Sequence, residues 1–151
     1  DRVKEALFSI VQAYIEDSFM LDLFAGSGAL GIEALSRGAK WCDFIDFDAS
    51  AAKVIEANLQ KTHFENYRLY VQKAKDFLIK CENKYDLVLL DPPYNKGLCD
   101  EALNLLFEKK LVCEGGIIVC ETSAAEEVSS PFPQTKQYKY GTVKLIALQN
   151  I

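Results

Sequence analysis

The segment Asp22-Leu-Phe-Ala-Gly-Ser-Gly-Ala-Leu-Gly31 decides the fold prediction for this chain. Its three glycines satisfy the pattern G-x-G-x-x-G, which is typical of a tight turn between a β-strand and an α-helix. The apolar residues before the glycines predict a strand over residues 19–24, and the residues after them predict a helix that ends at Gly38. The segment therefore predicts a strand, a glycine loop and a helix in succession.

Strand-like and helix-like segments alternate from Phe19 onward, which predicts an α/β fold with a mostly parallel sheet and helices on both faces. The further predicted strands are residues 41–46, 67–72, 85–90 and 117–120, the last after a turn at Gly115-Gly116. Three further helices are predicted. The first is capped by Asp48 and has Ala51, Ile55 and Leu59 on one face. The other two lie around residues 76–80 and over residues 100–110. Residues 85–90 are apolar apart from Asp86, a run too continuous for a one-sided strand, so we expect a central strand covered on both faces.

The two ends of the chain depart from this alternation. Apolar side chains recur at helical spacing near the start, which predicts an amphipathic helix over residues 1–15 that packs on the domain. These side chains are Val3, Leu7, Ile10, Val11 and Tyr14. Two strand-like runs meet near Tyr140-Gly141, which predicts a hairpin and an antiparallel edge. We expect residues 1–151 to form one domain, and the full-length protein to have a preceding segment that this chain lacks.

Composition limits the classes of function. Lys and Arg number 17 against 22 Asp and Glu, a net charge of -5, so an RNA partner would have to be held by local contacts. No apolar stretch approaches the ~20 residues that span a bilayer, and no signal peptide opens the chain, which predicts a cytoplasmic protein without a membrane partner. The five cysteines contain no C-x-x-C pair, so we expect reduced thiols and no metal site.

A cofactor site is predicted beside the glycine loop. Asp46 ends the second strand 20 residues after Gly26, where an acidic residue can bind the hydroxyl pair of a ribose. This pattern fits NAD as well as S-adenosylmethionine. Asp22 favours S-adenosylmethionine, because a carboxylate inside the first strand suits an amino group and a sulfonium better than a pyrophosphate. The predicted contacts are Asp22, Phe24, Ala25, Gly26, Ser27, Gly28, Asp46, Phe47, Ala74 and Asp91, with Asp76 a weaker candidate near the adenine.

A second motif, Asp91-Pro-Pro-Tyr94, follows the predicted central strand. An exocyclic amine is a poor nucleophile because its lone pair is delocalised into the ring. Asp91 and the carbonyl of Pro92 can accept hydrogen bonds from both N–H groups, and the two prolines stiffen the turn. Tyr94 offers a ring on which a flipped base can stack. We therefore predict Asp91, Pro92, Pro93 and Tyr94 as catalytic residues of a methyl transfer to an exocyclic nitrogen, although such a motif can also be an ordinary turn.

These segments together resemble the bacterial 16S ribosomal RNA guanine-N2 methyltransferases of the RsmD type. The resemblance covers nearly the whole chain and rests on residues 1–8, 22–39, 86–94 and 140–141. It implies a Rossmann-like class I methyltransferase fold with seven strands and S-adenosylmethionine as donor, leaving S-adenosylhomocysteine. It also implies a guanine of 16S RNA as acceptor, in the small subunit or its assembly intermediate, and we expect a monomer.

The resemblance assigns Gly26, Gly28 and Asp46 to the cofactor and residues 91–94 to catalysis. Two features depart from the family pattern. Lys73 occupies a position where related methyltransferases place a small polar or acidic residue, and the family's basic stretch before the first helix is absent.

The residues leave other functions open. One is amino-methylation of a DNA base or a protein glutamine, although such enzymes carry an added recognition domain for which 151 residues leave no room. Another is a non-catalytic, cofactor-binding assembly factor, which would not need an intact Asp91-Pro-Pro-Tyr94. A third is a nicotinamide-dependent oxidoreductase, which would bind NAD and not S-adenosylhomocysteine.

Overall fold

The computed structural model describes residues 2–93 and 97–151. Within them, helices and strands follow one another as α1 Arg2–Ile15, β1 Phe19–Leu23, α2 Ala29–Ser36, β2 Trp41–Asp46, α3 Ala49–Gln60, β3 Tyr67–Val71, α4 Ala74–Lys80, β4 Tyr85–Leu90, α5 Leu98–Glu108, β5 Val112–Ser123, β6 Gln134–Tyr140 and β7 Val143–Gln149. The predicted alternation of strands and helices is confirmed. Among the described helices, none is long and apolar enough to cross a membrane.

The strands form one seven-stranded sheet with the order β3-β2-β1-β4-β5-β7-β6. The first five strands in this order pair in parallel, and β7 pairs antiparallel with both β5 and β6. The predicted C-terminal hairpin is therefore confirmed, with Gly141 in its turn at a φ of 61°. The order of the strands reverses between β1 and β4, and in open α/β sheets the loops after two such strands diverge and leave a crevice for a ligand.

Helices cover both faces of the sheet, as predicted. On one face, α1, α2 and α3 bury side chains such as Leu7 and Ile55. On the other face, α4 and α5 bury side chains such as Leu78 and Leu103. Residues 87–90 of β4 alternate between these two apolar clusters, which makes β4 the doubly covered central strand that its sequence predicts.

The predicted turn at Gly115-Gly116 is wrong. β5 runs through both glycines, and its register against β4 shifts between Tyr85 and Leu87. Gly115 adopts a φ of 82°, and a Cβ on Gly116 would come within 2.8 Å of Val112 Cγ1. The glycines therefore form an irregularity inside a strand, because a left-handed residue can interrupt the pairing without ending it.

Helix faces and boundaries also differ in part from the prediction. On α3, Ala52 is fully buried in place of Ala51, which is half-buried. On α1, the buried residues are Leu7, Phe8, Val11 and Ile15, while Val3, Ile10 and Tyr14 pack at the margin. β1 ends at Leu23, because the φ of 66° at Phe24 is left-handed and incompatible with an extended strand. α4 and α5 each begin two residues earlier than predicted.

Candidate active site

The glycine loop that follows β1 has a left-handed backbone conformation at three residues. Phe24, Gly26 and Gly28 have φ values of 66°, 62° and 80°. The backbone N–H of Gly28 donates to the Ala25 carbonyl at 2.9 Å, and the N–H of Ala25 donates to the Ile45 carbonyl at 2.9 Å. The loop is thus a tight turn, tied to the end of β2 and followed at once by α2.

The three glycines of the motif have different surroundings. A Cβ on Gly26 would meet no atom within 4 Å, so the backbone there is open to a ligand. A Cβ on Gly28 would lie 3.1 Å from Ile55 Cγ2, so this glycine serves the turn and its packing on α3. A Cβ on Gly31 would overlap the ring of Phe44, so this glycine allows α2 to approach β2.

Asp46 connects the glycine loop to the turn before α3. Its Oδ2 accepts a hydrogen bond from the Gly26 N–H at 2.8 Å, and its Oδ1 accepts one from the Asp48 N–H at 2.9 Å. Asp48 in turn caps α3 by accepting from the Ser50 N–H at 2.8 Å. Since a carboxylate offers about four acceptor positions, each oxygen of Asp46 can still accept a hydroxyl.

Asp22 is a buried acid at the base of the loop. Its Oδ2 accepts a hydrogen bond from the Gly31 N–H at 3.1 Å. Burial raises the pKa of Asp22 to about 8; the Gly31 hydrogen bond opposes this, and the charges of Asp91 and Asp46 add to it. A cation brought close to Asp22 would favour its ionised form.

A cleft of ≈ 1190 Å³ opens along the carboxyl ends of the strands. Most of the predicted site residues line it: Asp22, Phe24, Ala25, Gly26, Ser27, Asp46, Phe47, Ala74, Asp76, Asp91, Pro92 and Pro93. Gly28 is absent from the residues that line it, and Tyr94 lies outside the described residues. Ligand pockets in proteins commonly measure about 300–1,000 Å³, so the cleft has room for a nucleoside-sized cofactor together with part of an acceptor.

Phe47 and Lys73 border the cleft at the ends of β2 and β3. The Phe47 ring is 65% exposed, which is unusual for a large apolar side chain. The Nζ of Lys73 lies 5.3 Å from the centre of this ring, within the range of a cation–π contact. The exposed part of the Phe47 ring offers a flat apolar surface to a planar base.

Asp91 follows directly after β4, at the same edge of the sheet. Its carboxylate borders the cleft beside Pro92, which is buried, and Pro93, which is exposed. Partial desolvation by the cleft walls raises the pKa of Asp91 to about 6. At pH 7 and above, Asp91 is therefore mainly ionised and acts as a hydrogen-bond acceptor.

Sequence reasoning missed several residues of the cleft, of which Glu121, near the end of β5, is the most informative. Burial, with a contribution from the Asp91 charge, raises the pKa of Glu121 to about 7. The signal was present in the sequence, because Glu121 follows an apolar strand just as Asp91 does. Leu98 and Ala102 of α5 also line the cleft, but nothing in their local sequence shows it. Within the described part of the chain, no three His, Cys, Asp or Glu side chains are grouped to hold a metal ion.

Comparison with known proteins places this architecture in a family. The family model described as "Conserved hypothetical protein 95" matches residues 1–149. A Haemophilus influenzae protein named "Ribosomal RNA small subunit methyltransferase D" is 38% identical over 156 residues, covering 99% of this chain and 81% of that protein. The chain belongs to the family that this model describes, together with the Haemophilus influenzae protein.

Solved structures agree with the family assignment. A structure described as "Putative methyltransferase yhhF" from Escherichia coli has a TM-score of 0.91 and 33% identity, covering 99% of this chain and 85% of that one. A crystal structure of SMU.776, complexed with SAH, has a TM-score of 0.74 and 17% identity over 98% of this chain and 48% of that one. The second likeness shows the fold alone. The predicted class I methyltransferase fold of this RsmD-type chain is thereby confirmed.

Proposed function

We propose that this chain transfers a methyl group from S-adenosylmethionine to the exocyclic N2 of a guanine in 16S ribosomal RNA of the small subunit. One observation carries the proposal: the glycine loop, Asp46 and the residues Asp91, Pro92 and Pro93 border a single cleft. The name of the Haemophilus influenzae relative supports the choice of substrate class. We further propose that the 151 residues act as one catalytic domain, in the cytoplasm and as a monomer.

The residues of the cleft fit S-adenosylmethionine. Asp46 has free acceptor positions for the ribose hydroxyls, and Gly26 leaves the backbone open to close approach. The exposed ring of Phe47 is suited to the adenine, with Ala74 and Asp76 on the neighbouring wall. Asp22 lies at the base of the loop, and the approach of the cationic end of the cofactor would favour its ionised form, which supplies negative charge there. When bound, this cofactor supplies an electrophilic methyl group on a positively charged sulfur.

Asp91 and Pro92 would prepare the amine. An ionised Asp91 accepts a hydrogen bond from one N–H of N2, and the Pro92 carbonyl accepts one from the other. These two bonds draw the nitrogen toward a tetrahedral geometry and direct its lone pair toward the methyl group. The Tyr94 ring remains our candidate for stacking against the base. Holding both partners in line can contribute about 7–11 kcal/mol through proximity and orientation.

Asp91 is also suited to take up the proton that the reaction releases. After transfer, N2 carries a positive charge until it loses a proton. A carboxylate with a pKa of about 6 is a better proton acceptor than an ordinary aspartate and is still ionised at neutral pH. The environment of Asp91 therefore supports both of its proposed tasks.

Cofactor identity is tested by calorimetry on the chain with S-adenosylhomocysteine and, in parallel, with NAD. Methyl transfer predicts saturable binding of S-adenosylhomocysteine and none of NAD, since a carboxylate at Asp22 suits an amino group and a sulfonium better than a pyrophosphate. Binding of NAD alone would contradict the proposal and favour an oxidoreductase.

The net charge of -5 bears on how the RNA is presented. Affinity for RNA rises with the number of phosphates that a protein neutralises, and an acidic domain neutralises few. We therefore propose that the substrate is a ribonucleoprotein, in which ribosomal proteins hold the guanine in an accessible shape. Unmodified small subunits should be methylated far better than protein-free 16S RNA, with activity falling as salt is added. Equal rates on naked RNA would contradict the requirement for a particle.

A further inference from the structure

A second carboxylate lies beside Asp91 at the edge of the sheet. β4 and β5 are parallel neighbours in which Leu90 pairs with Cys120. Asp91, directly after β4, and Glu121, the residue after Cys120 in β5, therefore lie at the same level of the sheet. Neighbouring strands are about 4.8 Å apart, and both residues line the cleft. Two acceptor groups thus border the same part of the cleft.

The Glu121 carboxylate has no oppositely charged partner among residues 2–93 and 97–151, since neither ion pair found there includes it. Its pKa of about 7, raised by burial and by the nearby Asp91, reflects a carboxylate that is poorly compensated. Such a group gains from any N–H donor that a substrate brings into the cleft.

We propose that Glu121 selects guanine by accepting a hydrogen bond from N1–H of the acceptor base while Asp91 holds the N2 amine. This inference rests on the proposed function. On the Watson–Crick edge of guanine, N1–H and the N2 amine are adjacent donors, so two acceptors side by side match them both. A base flipped into a pocket is commonly read at this edge.

The same carboxylate rejects other purines. An ionised glutamate can only accept hydrogen bonds. Adenine has an unprotonated N1 beside its amine, and so does 2-aminopurine, which keeps the 2-amino group of guanine. Either base would place an acceptor against Glu121 and leave both groups unpaired, which strongly disfavours binding in a desolvated site.

Glu121 and Asp91 should affect different kinetic constants. The bond from N1–H to Glu121 is made when the base binds and changes little during methyl transfer, so its loss should appear mainly in KM. The work of Asp91 lies in activating N2, so its loss should appear mainly in kcat.

The test uses small subunits reconstituted with either guanosine or 2-aminopurine riboside at the position that the wild-type chain methylates. Wild-type chain is compared at pH 8 with Glu121→Gln and with Glu127→Gln, which makes the same charge change at an exposed residue outside the cleft. We expect Glu121→Gln to raise KM for the guanosine substrate roughly 10- to 100-fold, the scale of one hydrogen bond to a charged group. Its preference for guanosine over 2-aminopurine should shrink, because the glutamine amide can donate to N1. Glu127→Gln should behave as wild type.

Two further measurements separate this role from a structural one. Affinity for S-adenosylhomocysteine should be unchanged in Glu121→Gln, and its melting temperature at pH 8 should not fall, because the substitution removes a poorly compensated charge. A loss of cofactor affinity would overturn the proposal by assigning Glu121 to the cofactor pocket. Unchanged KM and unchanged base preference would also overturn it, provided that the wild-type chain makes N2-methylguanosine. If the wild-type chain makes no N2-methylguanosine, the proposed function itself fails.

Discussion

The carboxylate of Asp46 accepts a hydrogen bond from the backbone N–H of Gly26 at 2.8 Å, although the two residues are 20 positions apart. The bond joins the glycine loop after β1 to the end of β2. Asp46 therefore has two tasks: it fixes the loop in its left-handed conformation, and it presents its remaining acceptor positions to the cleft. A substitution of Asp46 should disturb cofactor binding through both.

We predict that Asp46→Ala weakens binding of S-adenosylhomocysteine by roughly 1.5–3 kcal/mol, the value of hydrogen bonds to a charged group. Asp48→Ala is the matched control, because it removes a neighbouring carboxylate that also borders the cleft but accepts the capping hydrogen bond of α3. This control should cost about 1 kcal/mol of stability and leave the affinity nearly unchanged. Calorimetric titration and urea unfolding of both variants give the comparison. Equal affinities in Asp46→Ala and wild type would show that Asp46 does not contact the cofactor.

The glycines of the loop should differ in what their substitution damages. Gly31→Ala forces a Cβ against the ring of Phe44 and should lower the free energy of unfolding by about 1–3 kcal/mol through overpacking. Gly26→Ala meets no neighbouring atom but must hold a φ of 62°, at a cost of about 1 kcal/mol. Because Gly26 borders the cleft, its variant should lose more cofactor affinity than stability. The reverse ranking in unfolding and titration experiments would contradict these assignments.

Much of this site was predictable because its signals are local. The glycine loop, the acid that ends β2 and the motif after β4 each follow an apolar run that predicts a strand. Parallel strands bring their carboxyl ends to one edge of the sheet. The distinct task of Gly28 was not predictable, since its contact with Ile55 depends on how α3 packs. Glu121 also follows an apolar run, but this signal does not show that β4 and β5 are neighbours in a register that places Glu121 beside Asp91.

Asp22 should make the stability of the fold depend on pH. Its pKa rises from 3.8 to about 8 on folding, so the native state retains a proton that the unfolded state releases. The stability that protonated Asp22 contributes is fully present below about pH 4 and is lost as the pH rises through about 8. In this range the free energy of unfolding falls by up to about 1.4 kcal/mol per pH unit. Asp22→Asn keeps an oxygen that can accept from the Gly31 N–H but cannot ionise. Urea unfolding between pH 5 and 8 should show a flatter profile for Asp22→Asn, and parallel profiles would contradict the assignment.

Asp91 should control turnover and not cofactor affinity. In Asp91→Asn, a donor amide replaces one acceptor oxygen, and we expect kcat to fall by at least about 100-fold. Affinity for S-adenosylhomocysteine should change little. Glu101→Gln is a suitable control, because it removes a negative charge from the α5 side of the same cleft. A matching loss of cofactor affinity in Asp91→Asn would show that the turn supports the cofactor pocket.

The central claim, methylation of guanine N2, is tested most directly by nucleoside analysis. Small subunits lacking the modification are incubated with the chain and with S-adenosylmethionine labelled in its methyl group, and the 16S RNA is then digested to nucleosides. The account predicts that the label appears as N2-methylguanosine, and that Asp91→Asn greatly reduces it. Label in N6-methyladenosine, or in glutamine of a ribosomal protein, would contradict the account.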